Sequence, residues 1–231
     1  MSRLMKVLKE CGAVVQVALD VVDVWEAFRI SARLPDDPAL ILEAGTPLIK
    51  SAGVSSIKTL RSAKPDSVIV ADTKTVDAAD VEASLVSEAG GDAFTVLALA
   101  SDETMALAVE RASYLGLTVY SDTINVDDLD RAIRRSKRAG VHVALLHVGL
   151  DVQRRLGRRA TDIISYIRRA TELFEGPVAV AGGIKPREVG LIAGVGAKII
   201  VIGSAIVKAE DPRSEAVKAL ESLKGAGFRC R

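Results

Sequence analysis

Two carboxylates and one ammonium group lie close together in the segment Asp72-Thr-Lys-Thr-Val-Asp77, directly after the apolar run Val68–Val70. The run is β-branched and follows Pro65, which predicts a buried strand. Because side chains alternate along a strand, Asp72 and Lys74 are predicted to share one face, if strand geometry continues that far. Such a pair is costly to bury unless the two charges compensate each other or serve chemistry. The alternative is an ordinary surface ion pair at a strand end.

Ionisable residues occupy five predicted strand ends, a clustering that scattered surface charges would not favour. These ends carry Asp20, Glu43, Asp72 with Lys74, Asp122 and His147. Glu43 and Asp72 end successive strands, so their carboxylates are predicted to be neighbours. Two carboxylates near a lysine can bind a hard divalent cation such as Mg²⁺, or they can form an ionic network without a metal.

His147 and two strand ends that carry glycine suggest acid–base chemistry and anion binding. His147 is a candidate acid–base group, because the unperturbed pKa of histidine lies near neutrality. Gly182-Gly183 and Gly203-Ser204 end two later strands. Glycines there can leave backbone N–H groups free to bind a phosphate, although glycine also turns tight corners without a ligand.

The elements that must position these residues repeat eight times as an apolar run followed by a helical segment. The predicted strands are 14–20, 39–43, 68–72, 93–97, 117–122, 141–147, 177–181 and 199–203. Strands this apolar indicate a parallel sheet covered on its faces. Eight such units predict a single-domain (β/α)8 TIM barrel over 1–231, with a lead-in at 1–13 and a flexible tail at 225–231.

A doubly wound open sheet is the alternative fold. It is disfavoured because Asp20-Val-Val-Asp23, rather than a glycine-rich phosphate loop, follows the first strand. In a barrel the active site forms at the C-terminal ends of the strands, where the ionisable residues lie.

Other polar residues are predicted to lie outside the chemistry. Gln16 shares the strand face of Asp20 and is expected to make a satisfied polar contact inside the barrel. His142 has the opposite strand parity to His147 and is expected to face a helix or the rim. A run of arginines follows strand six and comprises Arg154, Arg155, Arg158 and Arg159. It is interpreted as a solvated loop or as a lid that attracts phosphate.

Composition excludes several classes of protein. The 231 residues carry 31 Lys+Arg and 30 Asp+Glu, a net charge of +1, which argues against nucleic-acid or membrane-surface binding. No apolar run of about 18 residues and no signal peptide is recognisable, so a soluble, cytoplasmic protein is expected. Cys11 and Cys230 match no zinc spacing, and a disulfide between them is conceivable but cannot be deduced.

The strand ends resemble a known family. Asp72-Thr-Lys-Thr-Val-Asp77 matches the Asp-x-Lys-x-x-Asp motif of the orotidine 5'-monophosphate decarboxylase superfamily of (β/α)8 barrels. Glu43-Ala-Gly-Thr-Pro-Leu-Ile-Lys50, His147-Val-Gly-Leu-Asp151 and Val180-Ala-Gly-Gly-Ile184 look like one branch, the 3-hexulose-6-phosphate synthases. The resemblance spans about residues 14 to 212.

The resemblance implies a role for each matching residue. Glu43 and Asp72 would bind Mg²⁺, and Lys74 would stabilise negative charge on the substrate. His147 would transfer a proton, and Asp20 joins the candidate catalytic residues. Asp77 would reach into the neighbouring subunit, which implies a homodimer with shared active sites.

The resemblance also implies the reaction. Four residues would bind the sugar phosphate, namely Gly182, Gly183, Gly203 and Ser204. The reaction would be the Mg²⁺-dependent aldol addition of formaldehyde to D-ribulose 5-phosphate through an enediolate, or its reversal. Two segments depart from the branch, because position 73 is Thr rather than a bulkier apolar residue and Asp122-Thr-Ile-Asn125 replaces Asp-Leu-Ile-Gly.

Three other functions are compatible with the resemblance. A 3-keto-L-gulonate-6-phosphate decarboxylase usually has His-Arg after strand six, where this chain has His147-Val148. An orotidine 5'-phosphate decarboxylase typically carries an arginine in the last phosphate loop, which Gly203-Ser-Ala-Ile-Val207 lacks. A non-catalytic sugar-phosphate-binding barrel would not need the full set of ionisable residues.

Overall fold

Eight parallel strands close into a barrel, and each strand is hydrogen-bonded to the next in chain order. The strands are β1 (Val14–Leu19), β2 (Leu40–Ala44), β3 (Ile69–Thr75), β4 (Ala93–Leu97), β5 (Thr118–Asp122), β6 (Val143–His147), β7 (Val178–Ala181) and β8 (Ile199–Ile202). Pairing of β1 with β8 closes the barrel. The computed structural model describes residues 1–149, 151–152, 155, 157 and 164–231. The predicted single-domain (β/α)8 TIM barrel is confirmed.

Helices surround the barrel and follow the strands. They are α1 (Arg3–Cys11), α2 (Val24–Arg33), α3 (Thr46–Ala52), α4 (Ser55–Ala63), α5 (Ala79–Glu88), α6 (Asp102–Leu115), α7 (Leu129–Arg138), α8 (Ile164–Phe174), α9 (Val189–Gly194), α10 (Ser204–Val207) and α11 (Pro212–Gly225). A 3₁₀ turn at Pro186–Glu188 precedes α9. No helix in the described part of the chain is both long and apolar enough to cross a bilayer.

The segment between β2 and β3 forms two helices, because Gly53 adopts a φ of 56° and ends α3. The helix after β6 is described from Ile164, and residues 161–163 lie outside the described residues. Arg154, Arg158 and Arg159 of the arginine run lie outside them as well.

A bulge in β3 changes how the ionisable residues are presented. Between Ala71 and Thr75, β3 advances four residues while its partner β4 advances only two, from Phe94 to Val96. Lys74 lies in this irregular stretch with a φ of 50°. The predicted strand alternation therefore does not hold through Lys74, and the bulge directs this side chain instead.

The helix α1 packs at the amino-terminal end of the barrel. Leu4 and Leu8 of this helix are buried in the same apolar core as the strands. Ser2 caps α1 and shares a 2.6 Å hydrogen bond with Thr118 at the start of β5. A disulfide joins Cys11 to Cys230, a pairing that the sequence left open. This bond ties the segment predicted to be a flexible tail to the lead-in helix.

Candidate active site

Asp72 lies at the centre of the cluster at the carboxyl ends of the strands. Its Oδ1 accepts hydrogen bonds from the Thr95 hydroxyl at 2.8 Å and from Lys74 Nζ at 3.0 Å. Its Oδ2 accepts from the Thr46 hydroxyl at 2.6 Å and from Lys74 Nζ at 2.8 Å. Only 7% of Asp72 is exposed, so these donors replace the water that a free carboxylate would bind.

Lys74 bridges two buried carboxylates. Its Nζ lies 2.8 Å from Asp72 and 2.9 Å from Asp122, on β5. Burial alone lowers the pKa of Lys74, but attraction to Asp72 and Asp122 outweighs burial and raises that pKa above its ordinary value. The ammonium group therefore stays charged at neutral pH. It can stabilise an anion at the carboxyl end of the barrel, the barrel mouth, where Asp72, Asp122 and His147 lie.

Asp122 connects Lys74 to His147. His147 Nδ1 lies 3.2 Å from Oδ1 and 3.0 Å from Oδ2 of Asp122, which is fully buried. Burial raises the pKa of Asp122, but the hydrogen bond and charge of His147, followed by Lys74, lower it to about 2. An ionised carboxylate can only accept, so Nδ1 is the donor. A neutral His147 then carries its lone pair on Nε2, the tautomer that a proton acceptor needs.

Glu43 is held from inside the barrel. Its Oε2 accepts a 2.5 Å hydrogen bond from Gln16 Nε2, and the Tyr120 hydroxyl donates to Gln16 Oε1 at 3.0 Å. The predicted interior contact of Gln16 is thus present. Burial raises the pKa of Glu43 well above its ordinary value, and repulsion from Asp72 and Asp20 adds to the increase.

Asp20 lies against two loops of the barrel mouth. A Cβ on Gly45 would be 2.2 Å from Asp20 Oδ1, and a Cβ on Gly203 would be 2.9 Å from Oδ2. Although Asp20 keeps solvent contact, partial burial of its carboxylate raises its pKa, and repulsion from Asp72 raises it further. Gly45 is needed beside this carboxylate, because a Cβ there would also lie 2.9 Å from the Leu19 carbonyl oxygen, whereas a Cβ on Gly203 would come this close only to the end of the Asp20 side chain.

The other predicted phosphate-binding residues border the mouth. Gly182 has a φ of 124°, and a Cβ there would lie 2.7 Å from the Val148 carbonyl oxygen, so this position excludes other residues. Gly183 follows with a φ of 64°. Ser204 is exposed and begins α10, with Gly203 as its N-cap. The binding roles of these residues stay predictions.

Asp77 does not join the cluster within one chain. It is exposed in the loop between β3 and α5, beside Val76, which is 56% exposed. His142 also lies apart, because its Nδ1 accepts a hydrogen bond from the Val119 backbone at 3.0 Å. Burial lowers the pKa of His142, which favours the neutral acceptor form.

Three residues differ from the pattern of the 3-hexulose-6-phosphate synthases, and two of them form hydrogen bonds to a neighbouring strand. The Thr73 hydroxyl donates to the Thr95 carbonyl oxygen at 2.8 Å. The Thr123 hydroxyl donates to the Leu145 carbonyl oxygen at 2.9 Å. Asn125 adopts a φ of 60°, a conformation that asparagine tolerates better than most residues.

The sequence does not predict the contacts that three supporting residues make. Asp122 was recognised as a strand end, but its place between Lys74 and His147 was missed; adjacency of strands five and six could have indicated it. Thr46 and Thr95, which donate to Asp72, were also missed. Thr95 interrupts an otherwise apolar strand, and this interruption was the available signal.

The donor set fits a magnesium ion, which the resemblance implies. Glu43 and Asp72 supply two carboxylates. Burial and, after it, repulsion from Asp72 and Asp20 raise the pKa of Glu43, and a cation would relieve the repulsion. Among the described residues no group of three or more His, Cys, Asp or Glu side chains is arranged to hold a metal. Mg²⁺ commonly binds through only one or two carboxylates, with water or substrate oxygens completing its shell.

Comparison with known proteins identifies the family. The profile of the orotidine 5'-phosphate decarboxylase / HUMPS family matches residues 13–219. The chain belongs to this family. The chain is also similar to a 3-hexulose-6-phosphate synthase of Mycobacterium gastri. The two are 34% identical over 201 residues, which are 87% of this chain and 95% of that protein.

Two further proteins are similar to most of this chain. The bifunctional enzyme Fae/Hps of Archaeoglobus fulgidus is 33% identical over 90% of this chain. This chain spans about half, 52%, of that bifunctional relative. The crystal structure of 3-hexulose-6-phosphate synthase from Salmonella typhimurium is 32% identical, with a TM-score of 0.84 over 92% of this chain and 99% of that one.

Proposed function

We propose that the chain catalyses the aldol addition of formaldehyde to D-ribulose 5-phosphate, or the reverse cleavage. One observation carries the proposal: Lys74 bridges Asp72 and Asp122, and His147 bonds to the same Asp122. This arrangement offers a fixed positive charge and a proton acceptor in one cluster. The similarity to 3-hexulose-6-phosphate synthases at 32–34% identity supports the same reaction.

The arrangement suits a reaction through an enediolate. A proton must leave C1 of the ketose while negative charge builds on the C2 oxygen, and the resulting carbanion carbon then attacks formaldehyde. We assign the proton transfer to Nε2 of His147, because Asp122 fixes the required tautomer and stabilises the imidazolium that forms. Lys74 would stabilise the enediolate, since its charge is held in place before the reaction.

Glu43 and Asp72 are the proposed magnesium ligands. Bound Mg²⁺ would supply positive charge beside the substrate oxygens, as a Lewis acid. Asp20 would accept a hydrogen bond from a substrate hydroxyl at the mouth, where its carboxylate lies against Gly45 and Gly203.

The phosphate group would bind at the loops after β7 and β8. Barrels of this architecture bind phosphate there through backbone N–H groups. The glycine at position 182 supports the assignment, because a φ of 124° and the close Val148 carbonyl oxygen keep a side chain out of this turn, where a ligand can approach the backbone. Gly203 and Ser204 lie at the start of α10, where helical N–H groups lack intrahelical acceptors.

A homodimer with shared active sites is also proposed. Asp77 is exposed, and so are its apolar neighbours Val76 (56%) and Val81 (54%). Exposed apolar groups beside a charged residue suit a subunit interface that buries both. A second copy docked here would bring Asp77 towards its partner's site.

A mixing experiment tests the shared site. Asp72→Asn and Asp77→Ala are each expected to be inactive alone. After the two variants are mixed and reassociated, half of the sites in mixed dimers contain both native residues, so about one quarter of wild-type activity should return. A mixture as inactive as its components would contradict the shared site.

The reaction itself is tested by direct turnover. The protein is incubated with ribulose 5-phosphate and formaldehyde, with Mg²⁺ and then with a chelator, and formaldehyde loss is followed. We expect metal-dependent consumption that Asp72→Asn abolishes and Asp92→Asn, at the opposite barrel end, preserves. A parallel incubation contains 3-keto-L-gulonate 6-phosphate. Release of CO₂ there, without formaldehyde consumption in the first incubation, would instead assign decarboxylase activity.

A further inference from the structure

Three buried polar side chains form a chain across the barrel interior. Tyr120 on β5 donates its hydroxyl hydrogen to Gln16 on β1, which in turn donates its amide hydrogen to Glu43 on β2. The exposed fractions are 0% for Tyr120, 1% for Gln16 and 7% for Glu43. Gln16 and Glu43 lie on paired neighbouring strands, whereas Tyr120 reaches them from β5 across the closed barrel.

The hydrogen bonds from Tyr120 through Gln16 to Glu43 all run in one direction. The Tyr120 hydroxyl donates, so it must face the carbonyl oxygen of the Gln16 amide. The NH₂ group of the same amide then faces Glu43, whose oxygen accepts at 2.5 Å. Every hydrogen bond is buried, and a reversed amide would place its carbonyl oxygen against the ionised Glu43 carboxylate, where neither oxygen can donate. Gln16 therefore has one favourable orientation.

The two oxygens of Glu43 consequently differ. Oε2 is occupied by Gln16, whereas Oε1 has no hydrogen-bond partner among the residues described. Oε1 is not fully buried, since Glu43 keeps an exposed fraction of 7%, and it therefore remains open to the mouth. Only one oxygen of this carboxylate is thus presented to a ligand.

From this geometry we infer that Gln16 and Tyr120 are positioning residues, which hold Glu43 so that it binds the divalent cation through Oε1 alone. The inference rests on the proposed function, in which Glu43 is a metal ligand. Gln16 acts directly on the carboxylate, and Tyr120 acts only through Gln16. Neither residue touches substrate or metal.

The test measures cation binding rather than turnover. Mn²⁺, used as a paramagnetic probe of the Mg²⁺ site, is titrated into the purified protein and followed by electron paramagnetic resonance. Gln16→Met keeps the side-chain length but removes both hydrogen bonds, and we expect Mn²⁺ affinity to fall roughly 10- to 100-fold, as for other outer-shell partners. Tyr120→Phe removes one hydroxyl and should weaken binding less.

The double variant distinguishes positioning from general damage. Because Tyr120 acts through Gln16, Gln16→Met with Tyr120→Phe should bind Mn²⁺ no more weakly than Gln16→Met alone. Thr118→Val is the matched control: it also removes a buried hydroxyl from β5, but at the amino-terminal end, and should leave the affinity unchanged.

Three results would overturn the inference. Wild-type affinity in Gln16→Met would show that the amide does not position Glu43, and a further loss in the double variant would show that Tyr120 acts independently. A folded wild-type protein that binds no Mn²⁺ would remove the metal-ligand role of Glu43 as well. Formaldehyde consumption in the presence of chelator separates this last case from failure of the proposed reaction.

Discussion

The two ends of the barrel use the same residue types for different purposes. At the carboxyl end, Asp72 and Asp122 are buried around Lys74. At the amino end, Asp92 accepts from Arg61 at 2.6 Å and from the Ile69 backbone at 2.8 Å. The carboxylates of the mouth repel one another and share a single lysine, whereas Asp92 is matched by its own arginine.

This difference indicates where stability and function are located. The mouth keeps several carboxylates buried and near each other, so that burial and, after it, mutual repulsion raise the pKa of Asp20 and of Glu43. A network selected only for stability would avoid such repulsion. The amino end has the helix α1 and the disulfide, and the disulfide connects the two chain termini. We therefore expect changes at the mouth to reduce activity and changes at the amino end to reduce stability.

The largest effect is expected for Asp122→Asn. This change removes the charge that holds Lys74 and orients His147, so kcat should fall about 10²- to 10³-fold in the formaldehyde assay. Asp92→Asn is the matched change at the other end and should leave kcat nearly unchanged while the free energy of unfolding falls by about 1–2 kcal/mol. Equal losses of kcat in both variants would contradict the contrast between the two ends.

The pH dependence of stability provides a second measurement on Asp122. Its pKa in the folded protein is about 2, below the unfolded value of about 4. A depressed carboxyl pKa contributes stability above the unfolded value, and this contribution is lost as the pH falls from about 4 to about 2. The stability difference between wild type and Asp122→Asn should therefore shrink over that range in urea titrations.

The next largest effect is expected at the amino end, from Cys230→Ser. The Cys11–Cys230 bond spans 219 residues, so it restricts the unfolded chain strongly. Its loss should lower the free energy of unfolding by about 3–5 kcal/mol and Tm by roughly 10 °C, with kcat unchanged. A reductant should reproduce this decrease in the wild type and have no effect on Cys230→Ser. A Tm unaffected by either treatment would contradict a stabilising role.

The sequence predicted much of this division, for identifiable reasons. Eight apolar runs sufficed to predict the barrel, and the ionisable residues at five of their ends sufficed to place Asp72, Lys74 and His147 at one end. Strand alternation could not predict the bulge that turns Lys74 towards Asp122, because the register depends on pairing with β4. The disulfide was also beyond prediction, since it depends on how the two termini meet in space.

A smaller effect is expected for Thr95→Val at the mouth. The Thr95 hydroxyl donates to Asp72 and also accepts the Lys74 backbone N–H at 2.9 Å, so it holds the bulge and the carboxylate together. Its removal should displace both groups and lower kcat about 10- to 50-fold, because displacements near 1 Å are costly in active sites. Thr95→Ser should recover most of the activity.

The control for Thr95 lies at the other end. Thr118→Val removes the hydrogen bond to Ser2, and we expect a loss of about 1 kcal/mol in stability with unchanged kcat. An equally low kcat in Thr95→Ser and Thr95→Val would indicate that side-chain packing, rather than the hydroxyl, explains the effect.

The smallest effect should have the opposite sign. Burial and the repulsion of Asp72 and Asp20 raise the pKa of Glu43, so ionised Glu43 destabilises the folded chain as the pH rises above the unfolded value of about 4. Glu43→Gln removes this charge while its amide oxygen can still accept from Gln16. With chelator present at pH 8, the variant should be more stable than wild type by about 1 kcal/mol, and the gain should vanish near pH 4. A less stable Glu43→Gln at pH 8 would mean that the mouth does not trade stability for function as the two ends suggest.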